Sequence, residues 1–248
     1  MKVRIDKLLV ERNLVPSRER AQALILAGRV MVNEQKVSKS GVNVEADAPI
    51  RLLGEDQPYV SRGGIKLERA LQHWHIDLHG KSCADIGAST GGFTDCMLQH
   101  GAASVLAVDT GYGQIDARLR NDPRVRLLER TNARYLTAQD VPGPAQFIAM
   151  DVSFISATLV LPAVVSSLVQ GRAEIVVLVK PQFEVGREAI GKGGIVRDEA
   201  AQRLAVRKVS DAVLALGGTH LEVIESPILG TEGNREFLLH AGVTGPSS

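Results

Sequence analysis

The chain has 248 residues, 44% of them hydrophobic, and a formal net charge of only +1. A chain of this size can fill one large core or two unequal ones. Its apolar runs are far shorter than the ~20 residues needed to cross a bilayer, and no apolar leader is evident, so we expect a cytoplasmic protein with no membrane partner. Its two cysteines and six histidines lack the spacing of a zinc site or a disulfide framework, which predicts no metal.

Residues 1–53 have the pattern of a compact α+β unit. Ile5, Leu8 and Leu9 share one face of a first helix. Ser17 is the expected N-cap of a second helix, and Gly28 its C-terminal stop. Three short strands are then predicted, at residues 30–32, 36–37 and 50–52.

The same residues carry most of the positive charge. Ten Lys or Arg stand against six acids in residues 1–53, a net charge of +4, whereas the remainder of the chain has −3. A basic end on a near-neutral body is compatible with nucleic-acid binding, although a solvated basic face explains it equally well. A polar, turn-rich segment predicts a linker at residues 54–60 before a second domain at residues 61–248.

Strand-like and helix-like segments alternate through the second domain. Apolar runs at residues 82–85, 103–109, 125–129, 147–152 and 174–180 are mostly separated by helical segments. This alternation is typical of a Rossmann-like, doubly wound sheet of mostly parallel strands. The last two strands, at residues 220–225 and 235–240, are joined by a short loop, so the last strand should run antiparallel.

The first of these strands leads into a glycine-rich loop. It reads Asp85-Ile86-Gly87-Ala88-Ser89-Thr90-Gly91-Gly92-Phe93, and glycines at a strand-to-helix turn let the backbone approach a ligand. Asp109 ends the next strand 24 residues beyond Asp85, where a nucleotide-binding βαβ unit places its ribose-binding carboxylate. Considered by itself, the loop could be an ordinary glycine turn. The position of Asp109 favours a site for a nucleoside-containing cofactor.

The order of residues in the loop narrows the choice of cofactor. Neither the G-x-G-x-x-G of dinucleotide sites nor the G-x-x-x-x-G-K-[ST] of phosphate loops occurs. Asp85, two residues before the first glycine, suits a ligand with an amine or cationic group, such as S-adenosylmethionine (SAM). The alternative is that Asp85 only binds the amides of its own loop.

Six local strings are spread over the chain. They are RIDKLL (residues 4–9), SRGGIKL (61–67), the loop after Asp85, DVSFIS (151–156), LVKPQFE (178–184) and GTEGNREFLL (230–239). Together they resemble the hemolysin A (TlyA) family, which joins a small RNA-binding domain, named after a small-subunit ribosomal protein, to an FtsJ-like methyltransferase. The resemblance implies SAM-dependent 2′-O-methylation of cytidine in ribosomal RNA.

The resemblance also implies which residues do the chemistry. FtsJ-like enzymes use a Lys-Asp-Lys-Glu tetrad, which falls here on Lys66, Asp151, Lys180 and Glu236. A ribose hydroxyl is a weak acid that must lose its proton, and the resemblance, not the spacing, assigns Lys180 instead of Lys66 as the base or alkoxide stabiliser. Asp151 would orient Lys180, and Glu236 would position Lys66. Burial and a second lysine nearby favour the neutral amine that a base requires.

The cofactor residues come from the loop and the neighbouring strand ends. We expect Asp109 to bind the ribose hydroxyls, Asn132 to meet the adenine edge, and Asp151 to lie near the methionine end. The full predicted set is Asp85, Gly87, Ser89, Gly91, Gly92, Phe93, Asp109, Asn132 and Asp151.

Contacts to ribosomal RNA or ribosomal subunits are expected from the basic end. The predicted set is Arg4, Lys7, Arg18, Arg20 and Lys39, with Arg62 on the linker side. Phosphate contacts of this kind give affinity and salt dependence but little sequence choice.

Three other functions stay open on the sequence alone. The protein could bind ribosomal RNA without turnover, could be the membrane-active haemolysin of the family name, or could be a nucleotide-dependent oxidoreductase. The complete tetrad argues against the first. The absence of a signal peptide, membrane span or strongly amphipathic basic helix argues against the second, and the loop sequence argues against the third.

Overall fold

The computed structural model describes residues 2–53, 58–230 and 232–245. It divides into two compact units, Met1–Asp56 and Gln57–Ser248. Residues 54–57 of the predicted linker lie outside the described residues. The small and large units are described separately below.

The small unit packs two helices against short strands. Helices α1 (Ile5–Glu11) and α2 (Arg18–Leu26) share a core that includes Leu9 and Ile25. Ser17 caps α2 by accepting a hydrogen bond from the Arg20 N–H at 3.2 Å, which confirms the predicted N-cap. The strands are β1 (Lys2–Arg4), β2 (Val30–Val32), β3 (Gln35–Lys36), β4 (Asn43–Glu45) and β5 (Ile50–Leu52).

The strands of the small unit form two separate antiparallel sheets. β2 pairs with β3 and with β5, as the three predicted strands suggest, and β1 pairs with β4. The sequence does not predict β1 or β4, because a strand of three residues is too short to show a period of two.

A seven-stranded sheet forms the centre of the large unit. Its strands are β6 (Ser82–Ile86), β7 (Ser104–Val108), β8 (Val125–Leu128), β9 (Phe147–Met150), β10 (Arg172–Val179), β11 (Thr219–Glu225) and β12 (Phe237–Thr244). They lie in the order β11-β12-β10-β9-β6-β7-β8. The pairs from β10 to β8 are parallel, and β12 is antiparallel to both of its neighbours. The predicted doubly wound sheet with an antiparallel last strand is confirmed.

Helices cover both faces of this sheet. They are α3 (Gly63–His73), α4 (Gly92–Gln99), α5 (Ala117–Arg120), α6 (Ala157–Leu168), α7 (Pro181–Glu184) and α8 (Glu199–Ala215). Successive side chains of β10 enter opposite cores: Ile175 and Val177 face α6 and α8, whereas Val176 faces α3 and α4. Both faces are therefore buried, which explains the continuous apolar run. Within the described part of the chain, no helix is long and apolar enough to cross a membrane.

Helix α3 is held in place by a close contact at its first turn. Gly64 lies so near the buried Tyr59 that an added Cβ would be 2.2 Å from Tyr59 Cγ. The helix also carries Lys66, one residue of the predicted tetrad. The contact between Gly64 and Tyr59 thus fixes the position from which Lys66 extends.

Gly64→Ala should lower the stability of the large unit by roughly 1–3 kcal/mol, because a buried ring must move to admit the methyl group. Gly143→Ala is the matched control, since an added Cβ at Gly143 has no heavy atom within 4 Å. Urea unfolding of both variants checks the expectation. Equal stability of the two variants would contradict it.

Candidate active site

The predicted site residues gather at the carboxyl ends of the parallel strands. The strand order changes direction at β6: β7 and β8 follow on one side of it, whereas β9 and β10 lie on the other. Open α/β sheets bind ligands outside the strand ends at such a point. Two adjoining cavities of about 630 Å³ and 280 Å³ lie there. They share Gly87, Ser89, Asp151 and Ser153.

Gly87 brings the glycine-rich loop against the end of β9. Its φ is +89°, and an added Cβ would lie 2.3 Å from the carbonyl oxygen of Asp151. The N–H groups of Gly87 and Ala88 donate to the carbonyl oxygen of Val108 at 2.8 and 3.1 Å. Both the dihedral angle and the close approach require glycine here.

The other loop residues divide between lining and packing. Ser89, Gly92 and Phe93 line the larger cavity. Gly91 does not: it is the N-cap of α4, and an added Cβ there would be 2.3 Å from Leu119 Cδ1. The structure therefore places Gly91 in the packing behind the loop.

Asp85 is a buried carboxylate with one oxygen left without a partner. Its Oδ2 accepts hydrogen bonds from the Thr94 N–H at 2.8 Å and the Thr94 hydroxyl at 2.6 Å, whereas Oδ1 has no partner among the described residues. Burial, aided by the negative charge of Asp151, raises the pKa of Asp85 to about 7. Asp85 lines the larger cavity, so a ligand amine placed there could supply the missing donor.

Asp109 and Asn132 line the smaller cavity. Asp109 accepts hydrogen bonds from the Ser89 N–H at 2.8 Å and the Gly111 N–H at 2.6 Å, which fixes the carboxylate at the mouth of the loop. Asn132 caps the short 3-10 helix Ala133–Tyr135 by accepting from the Arg134 N–H at 3.0 Å. Both side chains are thus oriented before any ligand binds.

The four tetrad residues form two lysine–carboxylate pairs on the larger cavity. Lys66 Nζ lies 2.5 Å from Glu236 Oε2, and both side chains are buried. Lys180 Nζ lies 2.6 Å from Asp151 Oδ1, and both are half-buried. Each lysine amine therefore has one carboxylate beside it, and both pairs face the same space.

The Lys180 amine has a second partner. It donates a hydrogen bond to the Ser153 hydroxyl at 2.7 Å, whereas its close approach to Asp151 Oδ1 is not aligned as a hydrogen bond. Charge therefore holds the amine beside Asp151, and the hydroxyl of Ser153 sets its direction. Ser153 belongs to the DVSFIS string, but no local pattern in the sequence marks it as a partner of Lys180.

Glu184 joins the two loops that carry the Lys180–Asp151 pair. Its buried carboxylate accepts from the Ala157 N–H at 2.7 Å and the Ser156 hydroxyl at 2.5 Å. Ser156 is the N-cap of α6 and ends the loop that begins at Asp151. The LVKPQFE string contains Glu184, but only the structure shows which groups it binds.

Phe154 is exposed at the rim of the smaller cavity. The residue is 91% exposed, its φ is +64°, and the centroid of its ring lies 5.3 Å from that of the Phe183 ring. A positive φ is unusual for a bulky residue and is found where surrounding structure enforces it. An aromatic ring held out toward solvent beside a cavity offers a flat face to a ligand.

The predicted RNA contacts lie on both units. Within the small unit, Arg4 and Arg18 both bind Asp6, Lys7 is exposed, and Lys39 lines a shallow cleft of about 500 Å³. Arg20 is half-buried on α2. Arg62 is exposed and lines the larger cavity of the large unit.

Metal ligands do not gather anywhere in the described ranges. Across residues 2–53, 58–230 and 232–245, no group of three or more His, Cys, Asp or Glu side chains could hold a metal ion.

Both units match known families. The large unit matches the FtsJ-like methyltransferase model over residues 59–243, and the small unit matches the S4 domain over residues 3–50. The FtsJ-like match covers most of the chain, including all of the strands and helices that build the cavities.

Relatives of known name extend over nearly the whole chain. YqxC of Bacillus subtilis (strain 168) is 47% identical over 240 residues, covering 96% of this chain and 85% of YqxC. The 16S/23S rRNA (cytidine-2′-O)-methyltransferase TlyA of Mycobacterium tuberculosis is 43% identical over 239 residues, 96% of this chain and 89% of TlyA.

A solved structure of a Streptococcus thermophilus protein that carries the name hemolysin gives a TM-score of 0.76 at 43% identity. The alignment covers 100% of this chain and 90% of that one. The chain therefore belongs to the FtsJ-like methyltransferase family, in the branch that adds an S4 domain and carries the names TlyA and hemolysin A.

Proposed function

We propose that this protein transfers a methyl group from SAM to the 2′-hydroxyl of a cytidine in ribosomal RNA. The observation that carries the proposal is the meeting of two lysine–carboxylate pairs with the half-partnered carboxylate of Asp85 on one cavity. The name of the Mycobacterium tuberculosis relative specifies the same reaction for that protein.

The residues of the two cavities fit SAM. Asp85 Oδ1 has no donor within the part of the chain that the structure describes, and it can accept from the amino group of the methionine portion. Asp109 and Asn132, at the smaller cavity, can bind the ribose hydroxyls and the adenine. When bound, SAM would supply a methyl group on a sulfonium centre, which an oxygen nucleophile could attack, with the neutral thioether S-adenosylhomocysteine as the leaving group.

Lys180 is the base of the proposed reaction. A ribose hydroxyl must lose its proton as its oxygen is methylated, and an amine directed by the Ser153 hydroxyl is in position to take that proton in its neutral form. Asp151 then stabilises the ammonium that results, since its carboxylate is 2.6 Å from Nζ. Positioned proton transfer of this kind contributes roughly 10²–10⁴-fold to a rate.

Lys66 has a different part in the same reaction. Its amine is held 2.5 Å from the buried Glu236, which keeps a positive charge fixed at the cavity wall. A fixed cation stabilises negative charge that develops on the ribose oxygen, and it needs no rearrangement during the reaction. Glu236 positions that cation.

Phe154 provides a surface for the nucleobase. The exposed ring at the cavity rim matches the way in which proteins hold unstacked RNA bases against aromatic side chains. Asp151 and Ser153 line the same cavity as Phe154, so a base held there would lie on the side of the Lys180–Asp151 pair. This contact needs no base-specific hydrogen bond, so it would not by itself select cytidine.

The S4 domain supplies the RNA-binding half of the proposal. Its match over residues 3–50 coincides with the basic end of the chain, where Arg4, Lys7, Arg18 and Lys39 are exposed. Positive side chains bind RNA phosphates and give salt-dependent affinity. We infer that the partners are ribosomal RNA or ribosomal subunits and that the protein works in the cytoplasm.

Lys180→Met should lower methyl transfer to ribosomal RNA by about 10²–10⁴-fold while SAM affinity stays nearly unchanged, because the amine is needed for proton transfer only. Transfer of a tritiated methyl group and calorimetric binding measure the two quantities. Lys81→Met is the control: it also breaks a lysine–carboxylate pair, with Glu174, but away from the cavity. Substantial turnover by Lys180→Met would refute the assignment.

Asp85→Asn should weaken SAM binding by roughly 10–100-fold, since the neutral amide loses a charged hydrogen bond. It should also change the pH dependence of stability. The raised folded-state pKa of Asp85 means that the wild-type carboxyl stabilises the fold below about pH 4 and that this stability is lost as the pH rises through 7.

Without ligand, the free energy of unfolding of Asp85→Asn should therefore rise relative to that of the wild type between pH 4 and pH 7, by up to about 4 kcal/mol. Urea unfolding at pH 5 and pH 8 measures the difference. A constant difference between variant and wild type at both pH values would show that Asp85 does not titrate in this range.

Glu184→Gln should lower kcat about tenfold and leave the KM for SAM nearly unchanged, because it loosens the loops that set the Lys180 amine beside Asp151. Glu199→Gln is the control, since it removes an exposed carboxylate that pairs with the exposed Arg203 and lines neither cavity. Steady-state kinetics of both variants checks this, and a Glu184→Gln enzyme with normal kcat would contradict it.

A further inference from the structure

Asp6 is a buried acid in the small unit, surrounded by donors. Its side chain, in the first turn of α1, is 0% exposed. Arg4 donates to it twice, from Nε to Oδ1 at 3.0 Å and from Nη2 to Oδ2 at 2.9 Å. Arg18 Nη2 and Gln22 Nε2 donate to the same Oδ2 at 2.9 and 3.2 Å.

The shared oxygen brings two like charges together. Since the Nη2 atoms of Arg4 and Arg18 are each 2.9 Å from Asp6 Oδ2, they lie at most about 5.8 Å apart, twice that distance. Two guanidinium groups repel each other at this separation. The hydrogen bond from Arg4, with those from Arg18 and Gln22, keeps the pKa of Asp6 well below its usual range, so the opposing charge is present at any working pH.

Among the residues that the structure describes, both arginines keep donors for an outside ligand. Their side chains are 44% and 46% exposed. The bonds of Arg4 to Asp6 use Nε and Nη2, and the bond of Arg18 uses Nη2 alone. The remaining N–H groups are held in a fixed plane, which suits the paired oxygens of a phosphate.

We propose that Asp6 presents Arg4 and Arg18 as one preorganised clamp for a backbone phosphate of RNA. The inference rests on the proposed function, because it takes the ligand to be ribosomal RNA. Without Asp6 the two arginines would separate and regain their rotamer freedom, and binding would then have to order both side chains again. Asp6 is a positioning residue in this account and does not touch the RNA.

The clamp and the simple charge of the unit make opposite predictions. Asp6 is negative and lies in a basic unit, so a phosphate attracted by net charge alone should bind more tightly once Asp6 is neutralised. A phosphate bound by the clamp should bind less tightly. Asp6→Asn therefore separates the two explanations.

Glu34→Gln is the matched control for Asp6→Asn. Glu34 belongs to the same unit and pairs with Arg51, whose Nη2 lies 2.6 Å from Glu34 Oε2. Unlike Asp6, Glu34 is exposed, and so is Arg51. Each substitution removes one negative charge. Only Asp6→Asn releases Arg4 and Arg18.

The experiment measures the affinity of the full-length variants for deproteinised ribosomal RNA over a range of salt concentrations. Asp6→Asn should bind about tenfold more weakly than the wild type, with a salt slope smaller by about one phosphate contact. Glu34→Gln should bind as tightly as the wild type or slightly more tightly. SAM affinity should be the same in all three proteins.

Arg18→Lys keeps the inference testable if Asp6→Asn does not fold. It retains the charge at an exposed position and loses the planar fork, so it should bind several-fold more weakly, whereas Arg51→Lys should not. The double variant Asp6→Asn/Arg18→Lys should bind RNA no more weakly than the single variant with the lower affinity, because both substitutions break the same clamp.

Two results would overturn the clamp alone: equal affinity of Asp6→Asn and Glu34→Gln, or additive losses in the double variant. A wild-type protein that neither binds nor methylates ribosomal RNA would overturn the proposed function as well. Loss of binding by Asp6→Asn with unchanged SAM affinity supports the clamp.

Discussion

A cavity that holds two lysine side chains needs opposing charges, and the carboxylates of Glu236 and Asp151 supply them. An unpaired ammonium is strongly disfavoured out of water, whereas one with a neighbouring carboxylate is tolerated. These two ion pairs also define the geometry: Lys66 on α3 meets the residue before β12, and Lys180 after β10 meets the residue after β9. Four separate elements converge on this space, and each lysine has a carboxylate beside it there.

The two buried acids Asp6 and Asp85 differ in how many hydrogen-bond donors surround them, and this difference gives them different roles. Asp6 accepts four hydrogen bonds from three side chains, so its charge is fully satisfied and organises the residues that bind it. Asp85 has both of its bonds on one oxygen, and burial raises its pKa. A buried acceptor that lacks a donor is destabilising, and it becomes favourable when a ligand supplies the donor.

The helices and strands that could be predicted are those with local signals in the sequence. The apolar run of β10 contributes side chains to both cores, and this double burial is what makes such runs conspicuous in a sequence. The N-cap at Ser17 depends on one side chain and one N–H three residues away, so it too can be recognised from neighbours. The paired strands β1 and β4 escaped prediction, since their partners lie about forty residues apart and neither has a pattern of its own.

The sequence by itself determined the alternation of strands and helices, the glycine loop with its flanking acids, and the strings that carry the family resemblance. The resemblance implied that Glu236 positions Lys66, and the tertiary structure shows the bond between these residues, which are 170 positions apart. Only the tertiary structure decided that Ser153 directs Lys180 and that Gly91 packs behind the loop and does not line the cavity. The physical reason is range. Periodicity, capping and turn formation act between near neighbours, whereas ion pairs and unsatisfied acceptors depend on which distant segments the packed cores bring together.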